Sequence, residues 1–392
     1  MSTRSTGSEI RAAAVAVAAV ARREAVAADR AGAFAEEALA ELRSSGLLGM
    51  FVPGREADDT AATIGDYSQV ARILGRASLS VAVMWVMHSQ QVMTIARYGS
   101  DDLRGRVLEQ VRRGRNYIGS VTTEPDTGGD LFTSPPGPSA RDGRIAIRRT
   151  APIVTGGLVA DSFLIKMRSA GGRTPRDTAL VYADRSDLEI TAGRPWDMLG
   201  MRSTGNVALE LDGSVPRSNE LTVPLAQIAA ASFGPLAHVG WASSWLGCAE
   251  EAWSRVLRWS GRKRHRAFLD SDSALEEVGR VREHLEIVAA CLRTCVARMS
   301  ENNVHDLSGI PDQIHFNVLK TVASSHCYAA VERMIDLVGL SDGYSRQSEL
   351  GLERALRDLR AAGLMFSDRR LRRSNGALAL LDRNVSLMCG DE

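Results

Sequence analysis

Lysine, aromatic residues and long hydrophobic runs are all scarce in this 392-residue sequence. Only Lys166, Lys263 and Lys320 are lysine among 48 basic residues, and aromatic residues make up 5% of the chain. The formal net charge of +1 gives no reason to expect nucleic acid or an anionic membrane as a partner. No apolar run reaches the ~18 residues of a membrane-spanning helix, and no secretory signal is apparent. These absences predict a cytoplasmic protein.

Cysteine is also rare, and its spacing does not indicate a metal site. Cys291 and Cys295 share one face of a predicted helix, but the sequence has no second Cys or His pair with the spacing typical of metal ligands. We therefore expect no metal and buried free thiols in a reducing compartment. The five cysteines are Cys248, Cys291, Cys295, Cys327 and Cys389.

Hydrophobic periodicity divides the chain into three parts. Residues 8–45 and 65–114 have helical spacing, and the apolar stretch Val81–Met87 predicts a buried core helix. Helical periodicity returns in four stretches, near 226–262, 274–302, 312–340 and 350–384. Between these helical parts, turn residues separate short β-leaning runs, namely Ile145–Ile147, Ser162–Met167, Thr178–Tyr182 and Val207–Leu211.

This order predicts an α+β protein that is mostly α-helical. Asp272 or Ser273 is expected to cap the second helix of the C-terminal part. We expect an N-terminal helical domain, a small β-domain and a C-terminal four-helix bundle, with bounds 1–116, 117–222 and 223–392.

Several motifs together resemble one known family. Residues 123–130 read Thr-Glu-Pro-Asp-Thr-Gly-Gly-Asp, and residues 196–205 read Trp-Asp-Met-Leu-Gly-Met-Arg-Ser-Thr-Gly. Met87-His88-Ser89 precedes them, and Leu352–Asp358 follows with Leu-Glu-Arg-Ala-Leu-Arg-Asp. In this order and spacing they resemble the acyl-CoA dehydrogenase family over nearly the whole chain. The resemblance implies helical, β and four-helix-bundle domains, a flavin held against an acyl thioester, and a homo-oligomer built as a dimer of dimers.

The resemblance also implies which residues hold the flavin. Counting forward from Asp130 without a gap places Ile153, Val154 and Thr155 on the second flavin-binding turn. Thr155 would donate toward the flavin N5 edge, where a fixed donor tunes the ring. FAD is the expected cofactor, with FMN or an exchanged reduced flavin as the alternative. The other residues expected at the flavin are Val121, Thr122 and Thr123 on the pyrimidine side, Arg262 at the diphosphate and Gly339 at the adenosine.

Three further positions are expected at the substrate. His88 and Ser89 match the helix that lines the family's substrate pocket. Gly129 stands where the family has a serine that helps to grip substrate or cofactor.

The family's catalytic glutamate is missing. Its usual position holds Phe366, and the alternative position used by some members holds Ala237. His238 and Asp368, one and two positions away, are the candidate replacement bases. Each has an alternative interpretation, a structural histidine on a helix face and a solvated carboxylate at a helix end.

Three reaction classes follow from the resemblance and the missing base. The first expectation is a flavin-dependent oxidoreductase that desaturates an acyl thioester in specialised biosynthesis. Its partners would be an acyl-CoA or acyl-carrier-protein substrate and an electron-transfer protein. The second is a two-component monooxygenase that takes reduced flavin from a flavin reductase, which needs no base for an α-proton. The third is a redox-neutral thioester-modifying flavoprotein or an inactive partner subunit.

Overall fold

Helices form the first part of the chain. The computed structural model describes residues 7–53, 62–125, 130–135, 140–262, 271–301, 306–382 and 384–385. Gly46 begins a short 3₁₀ turn at Leu47–Gly49. The helices that precede the strands in the described residues are α1 (Gly7–Ala31), α2 (Glu36–Ser44), α3 (Ile64–Ala77), α4 (Leu79–Tyr98) and α5 (Asp101–Arg112).

Local sequence explains where α3 and α4 begin. Thr63 and Asp66 form a capping box at the start of α3, so that each side chain accepts from the other's backbone N–H. Ser78 caps α4 through its hydroxyl, which accepts from the Val81 N–H. Both faces of α4 are buried, as the apolar stretch Val81–Met87 predicts.

The strands form two small sheets. In the first sheet β1 pairs in parallel with β4, which pairs antiparallel with β5. The second sheet has the order β2-β3-β7-β6 and is antiparallel. All four predicted β-leaning runs lie within strands. The strand bounds are β1 (Ile118–Val121), β2 (Ala140–Arg141), β3 (Arg144–Val154), β4 (Ser162–Arg168), β5 (Thr178–Asp184), β6 (Leu188–Pro195) and β7 (Val207–Pro216).

The C-terminal part is helical again, with two differences from the expected bounds. The fourth predicted stretch is two helices, separated by a turn in which Phe366 has a φ of 46°. The cap of α8 is Ser271, whose hydroxyl accepts from Ala274 N–H, rather than Asp272 or Ser273. The elements are α6 (Leu225–Ile228), a π-helical turn (Ala229–Phe233), α7 (Gly234–Ser260), α8 (Asp272–Ser300), α9 (Ile310–Gly339), α10 (Leu352–Arg360) and α11 (Asp368–Ala379).

Two glycines let α3 and α7 approach closely. A Cβ atom at Gly75 would lie 2.2 Å from the Ser244 carbonyl oxygen, and a Cβ atom at Gly247 would lie 2.2 Å from the Arg72 carbonyl oxygen. Each helix therefore has a glycine at the point where the backbone of the other helix comes too close for a side chain. This contact joins the N-terminal helices to the bundle.

The expected fold class is confirmed, since helices flank a small β-region in a mostly helical chain. The domain boundaries after residues 116 and 222 remain predictions; both fall between elements, after Arg112 and after Pro216. Among the described residues, no helix combines the length and apolarity needed to cross a bilayer. Burial raises the pKa of the Cys295 thiol to about 12, as expected for an inert thiol. Cys389 lies outside the described residues.

Candidate functional site

A cavity of about 650 Å³ lies where the end of β1 faces the helical bundle. Its lining comes from β1, α4, α7, α9 and α11, together with the π-helical turn before α7 and segment 130–132. This volume is within the range of small-molecule and cofactor sites. Because three parts of the chain contribute to it, the site depends on the complete fold.

Both positions expected for the family's glutamate lie on this cavity. Ala237, in the first turn of α7, and Phe366, in the turn before α11, line it together. Neither side chain can accept a proton. Asp130 is the single carboxylate among the described lining residues, and its Oδ1 accepts from the Phe132 N–H at 2.9 Å.

His238 is buried beside these two positions as a neutral imidazole. Its Nδ1 lies 3.0 Å from the Phe316 carbonyl oxygen, which can only accept, so Nδ1 carries the proton and Nε2 a lone pair. Burial, helped by the charge of Lys320, lowers its pKa to about 3. Its ring centre lies 5.9 Å from that of Phe366. His238 therefore lines the cavity but is a weak base.

Asp368 does not line the cavity among the described residues, and its interpretation as a solvated carboxylate is wrong. It is 9% exposed, with Oδ1 2.5 Å from Lys320 Nζ and Oδ2 accepting from the Ser324 hydroxyl at 2.7 Å. Lys320 also donates to the Ala362 carbonyl oxygen at 2.8 Å. The pair therefore fixes both ends of the turn that presents Phe366 to the cavity.

A second buried lysine fixes the opposite wall. Lys166 is fully buried, and its ammonium lies 2.8 Å from Glu124 Oε2. It also donates to the carbonyl oxygens of Asp130 at 2.8 Å and Thr133 at 2.7 Å. Desolvation lowers the pKa of Lys166, although Glu124 opposes the shift. The contacts hold the segment in which Leu131 and Phe132 line the cavity.

The two segments expected to hold the flavin are in contact. The Thr123 hydroxyl donates to the Ile153 carbonyl oxygen at 2.9 Å. Thr122 lines the cavity, whereas Val121 and Val154 are fully buried at the ends of β1 and β3. The remaining member of this set, Thr155, donates its hydroxyl to Asn206 Oδ1 at 2.8 Å. Their role as flavin ligands stays a prediction.

His88 does not line the cavity, contrary to expectation. Its Nδ1 accepts from the Ile118 N–H, and its Nε2 donates to the Leu48 carbonyl oxygen, each at 3.0 Å. Burial lowers its pKa to about 4. Both ring nitrogens are therefore used to join α4 to β1 and to the 3₁₀ turn. From the same helix, Met87 and Gln90 reach the cavity instead.

The remaining expected residues lie away from this cavity or outside the residues that the structure describes. Ser89 is buried beside His88 and is not among the lining residues. Arg262, at the end of α7, lies 3.4 Å from Glu349 in an exposed ion pair. Gly339 ends α9 with a φ of 81°. Gly129 lies outside the described residues.

Several lining residues were not anticipated. Gln90 donates to the Phe233 carbonyl oxygen at 2.6 Å, which ties α4 to the π-helical turn. Trp241 lines the cavity, and its buried indole Nε1–H has no hydrogen-bond partner in the part of the chain that the structure describes. It follows Ala237 by one helical turn, so the i, i+4 spacing could have identified it. Arg370 reaches the cavity from α11.

The described residues suit a flavin. The isoalloxazine is flat and has several acceptor atoms along one edge. The cavity offers the hydroxyl groups of Ser120 and Thr122 and the Arg370 guanidinium, next to aromatic side chains. A mixture of donors and apolar rings suits such a ring.

Comparisons with known proteins agree with this architecture. Residues 7–115 match the description "Acyl-CoA dehydrogenase, N-terminal domain", and residues 236–366 match "Acyl-CoA dehydrogenase, C-terminal domain". The amino sugar nitrososynthase DnmZ of Streptomyces peucetius is 25% identical over 340 residues, covering 83% of this chain and 80% of that protein. The dibenzothiophene monooxygenase of Rhodococcus qingshengii is 26% identical over 241 residues, covering 59% of this chain and 57% of that protein.

Solved structures share the fold over almost the whole chain. FMN-bound TdsC from Paenibacillus sp. A11-2 has a TM-score of 0.83 at 19% identity, covering 96% of this chain and 98% of that one. Butyryl-CoA dehydrogenase from Megasphaera elsdenii has a TM-score of 0.82 at 18% identity, covering 97% and 100%. The prolyl acyl carrier protein oxidase AnaB has a TM-score of 0.80 at 17% identity, also covering 97% and 100%. With both its helical parts matched, the chain belongs to the acyl-CoA dehydrogenase family.

Proposed function

We propose that this protein is a flavin-dependent monooxygenase that receives reduced flavin from a separate reductase and oxidises a small molecule. The observation that carries the proposal is that Ala237 and Phe366 line one cavity and neither is a carboxylate. Desaturation of an acyl thioester requires removal of an α-proton, and a positioned base contributes about 10²–10⁴-fold to such a step. Oxygen transfer to a substrate has no such requirement.

The neighbouring groups are poor replacements for that base. Burial holds the pKa of His238 at about 3, so its lone pair binds a proton weakly. The Asp368 carboxylate is occupied by Lys320 and Ser324. Asp130 is on the β-domain side and accepts from backbone. We therefore propose that Asp368 positions the turn before α11, and that His238 orients ligands in the cavity.

The lining residues would hold the flavin and keep water away from it. Ser120, Thr122 and Arg370 would bind its polar edge. When bound, a flavin supplies the redox chemistry, by taking up hydride or by passing electrons to oxygen. The buried rings of Phe233 and Phe316 would exclude water from the reacting atoms. FAD and FMN are both candidates, with FMN favoured by the FMN-bound neighbour.

The relatives support an oxygenase. A nitrososynthase and a dibenzothiophene monooxygenase are among the curated relatives, and an FMN-bound structure is among the structural neighbours. The alternative, desaturation of a thioester on CoA or a carrier protein, is supported by the butyryl-CoA dehydrogenase and AnaB neighbours and requires His238 as the base. The homo-oligomer expected from the family resemblance remains part of the proposal.

One pair of assays separates the two reactions. Purified protein is titrated anaerobically with oxidised and with reduced FMN, and the flavin-loaded protein is then mixed with short, long and aromatic acyl-CoA thioesters. Tighter binding of reduced FMN without bleaching by any thioester is the expected result. ¹⁸O from ¹⁸O₂ should then enter a product when NADH and a flavin reductase are added to an aromatic substrate panel. Bleaching of bound flavin by a thioester would overturn the proposal in favour of desaturation.

A further inference from the structure

Five aromatic residues of this aromatic-poor chain line one cavity. Four of its eight phenylalanines line the cavity, namely Phe132, Phe233, Phe316 and Phe366, and Trp241 joins them. They come from five separate segments: the 130–135 segment, the π-helical turn, α9, the turn before α11 and α7. Aromatic rings bury large apolar areas and favour stacked or edge-on contact with another ring. Such a lining favours a flat, largely apolar ligand.

One of these aromatic residues carries an unused donor. Trp241 Nε1–H is buried and has no hydrogen-bond partner among the described residues, although the residue lines the cavity. Its ring centre lies 6.1 Å from that of His238 and 6.3 Å from that of Trp245, so other aromatic rings fix its orientation. A buried donor without a partner costs free energy, which a ligand acceptor placed against it would recover.

The charge of the lining disfavours cationic ligands. Arg370 and Arg373 line the cavity from α11, while Asp130 is the single carboxylate among the described lining residues. A protonated amine would therefore meet a net positive lining. Among the described lining residues, this charge argues against the amino sugar class named for one relative.

We propose that the substrate is a flat aromatic molecule with a hydrogen-bond acceptor, a carbonyl oxygen or a ring heteroatom, and that Trp241 Nε1–H donates to that acceptor. The inference rests on the proposed function for the reaction, because it takes the molecule that would lie beside the flavin in this cavity as the molecule to be oxidised. The binding itself depends only on the lining. Trp241 is then the residue that selects an acceptor-bearing ring over a plain hydrocarbon of the same shape.

The test compares two probes of nearly equal size, 2-acetylnaphthalene and 2-isopropylnaphthalene. Their dissociation constants are measured by equilibrium dialysis against the wild type, Trp241→Phe and Trp245→Phe. Trp245 is a matched control: within the described ranges its buried Nε1–H also has no partner, but the residue is absent from the described cavity lining. Dissociation constants for oxidised FMN are measured on all three proteins.

A single neutral hydrogen bond sets the expected effect. The wild type should bind the ketone about three- to tenfold more tightly than the hydrocarbon. Trp241→Phe should lose this preference and keep its affinity for the hydrocarbon and for FMN, whereas Trp245→Phe should behave like the wild type.

Three results would overturn the proposal: equal binding of both probes by the wild type, a preference that survives in Trp241→Phe, or a weakening confined to FMN, which would assign the donor to the flavin. Displacement of the ketone by glucosamine would also contradict it. The dialysis contains no reductase, NADH or thioester, so its outcome is independent of the monooxygenase assay.

Discussion

Lys320 Nζ lies 2.5 Å from Asp368 Oδ1, and the lysine side chain is fully buried between α9 and α11. The same ammonium lies 5.6 Å from the centre of the Trp245 ring. Burial lowers the pKa of Lys320, and the hydrogen bond and charge of Asp368 oppose the shift. Its structural effect reaches the cavity, because the turn between Ala362 and Asp368 contains Phe366.

Removing one member of this pair should be costly. Lys320→Met leaves the buried Asp368 carboxyl without its cationic partner, and we expect a loss of about 3–5 kcal/mol in the free energy of unfolding, measured in urea. Lys320→Met combined with Asp368→Leu should recover much of this loss. Arg72→Met is the control, since it breaks an exposed ion pair with Glu250 and should cost less than about 1 kcal/mol. Similar losses in Lys320→Met and in Arg72→Met would show that Lys320 and Asp368 are not coupled through burial.

Buried neutral histidines should make the protein sensitive to acid. The pKa of His238 is lowered to about 3 by burial, from an ordinary value of 6.5, so the unfolded chain binds a proton that the folded chain excludes. Stability contributed by His238 is complete above pH 6.5 and is lost as the pH falls toward 3, by about 1.4 kcal/mol per pH unit. Burial raises the pKa of Asp358 to about 6, and this group acts in the opposite direction above pH 3.8.

Because His238 and Asp358 act in opposite directions, the pH dependence of wild-type stability alone does not isolate His238, and a variant is needed for comparison. The free energy of unfolding is measured from pH 4 to pH 7 for the wild type and for His238→Gln. We expect the difference in free energy of unfolding between the two proteins to shrink as the pH falls. Only in the wild type does unfolding at this position take up a proton, because glutamine does not titrate. A difference that is independent of pH would contradict a neutral, buried His238.

Kinetics of the same variant distinguish orientation from proton removal. His238→Gln keeps a hydrogen-bonding side chain but not the basicity of imidazole. If His238 orients ligands, KM should rise several-fold while kcat changes by less than about tenfold. A fall of more than about 10²-fold in kcat with flavin still bound would restore His238 as the general base, and desaturation with it.

The position of Thr155 relative to the flavin can be read from a spectrum. Thr155→Val removes the hydroxyl that donates to Asn206 and is expected near the flavin N5 edge. We expect a shift in the absorption bands of bound flavin with little change in fold. Ser68→Ala, which removes a hydroxyl contact between α3 and α7, is the control. An unchanged spectrum in Thr155→Val would show that the count from Asp130 is out of register.

Two helix glycines should respond in opposite ways to the same substitution. Gly247→Ala places a methyl group 2.2 Å from the Arg72 carbonyl oxygen, and forcing α3 and α7 apart should cost about 1–3 kcal/mol. Gly279 lies within α8 with open space around it, so Gly279→Ala should stabilise by about 0.5–1 kcal/mol. Thermal unfolding of both variants measures the contrast. Equal effects would mean that α3 and α7 can separate without loss.

Local patterns predicted most of the fold, because helical periodicity and β-leaning runs depend on near neighbours in sequence. They did not predict the break before α11. Phe366 adopts a left-handed backbone there because Lys320, a residue of another helix, fixes both ends of the turn. The interpretation of Asp368 failed for the same reason. Its exposed-looking neighbours are arginines, whereas its partner is 48 residues earlier.

Two of the positions expected from the sequence lie on one cavity, while the roles of the candidate site residues stay predictions. The counts that led to Ala237 and Phe366 both reached the cavity, since these motifs fix the register. The assignment of His88 failed because its partners, Leu48 and Ile118, belong to distant segments. Trp241 was missed because a tryptophan in an apolar helix gives no sign of an unpaired N–H.

The enclosure of the two structural lysines has a practical consequence for solution experiments. Lys166 and Lys320 have no exposed surface, so an amine-acylating reagent cannot reach either side chain while the protein is intact. Peptides that contain them should gain label only when segment 130–133 or the turn at 362–368 detaches. Labelling rates followed by mass spectrometry would then measure how often each wall of the cavity opens, without any engineered probe.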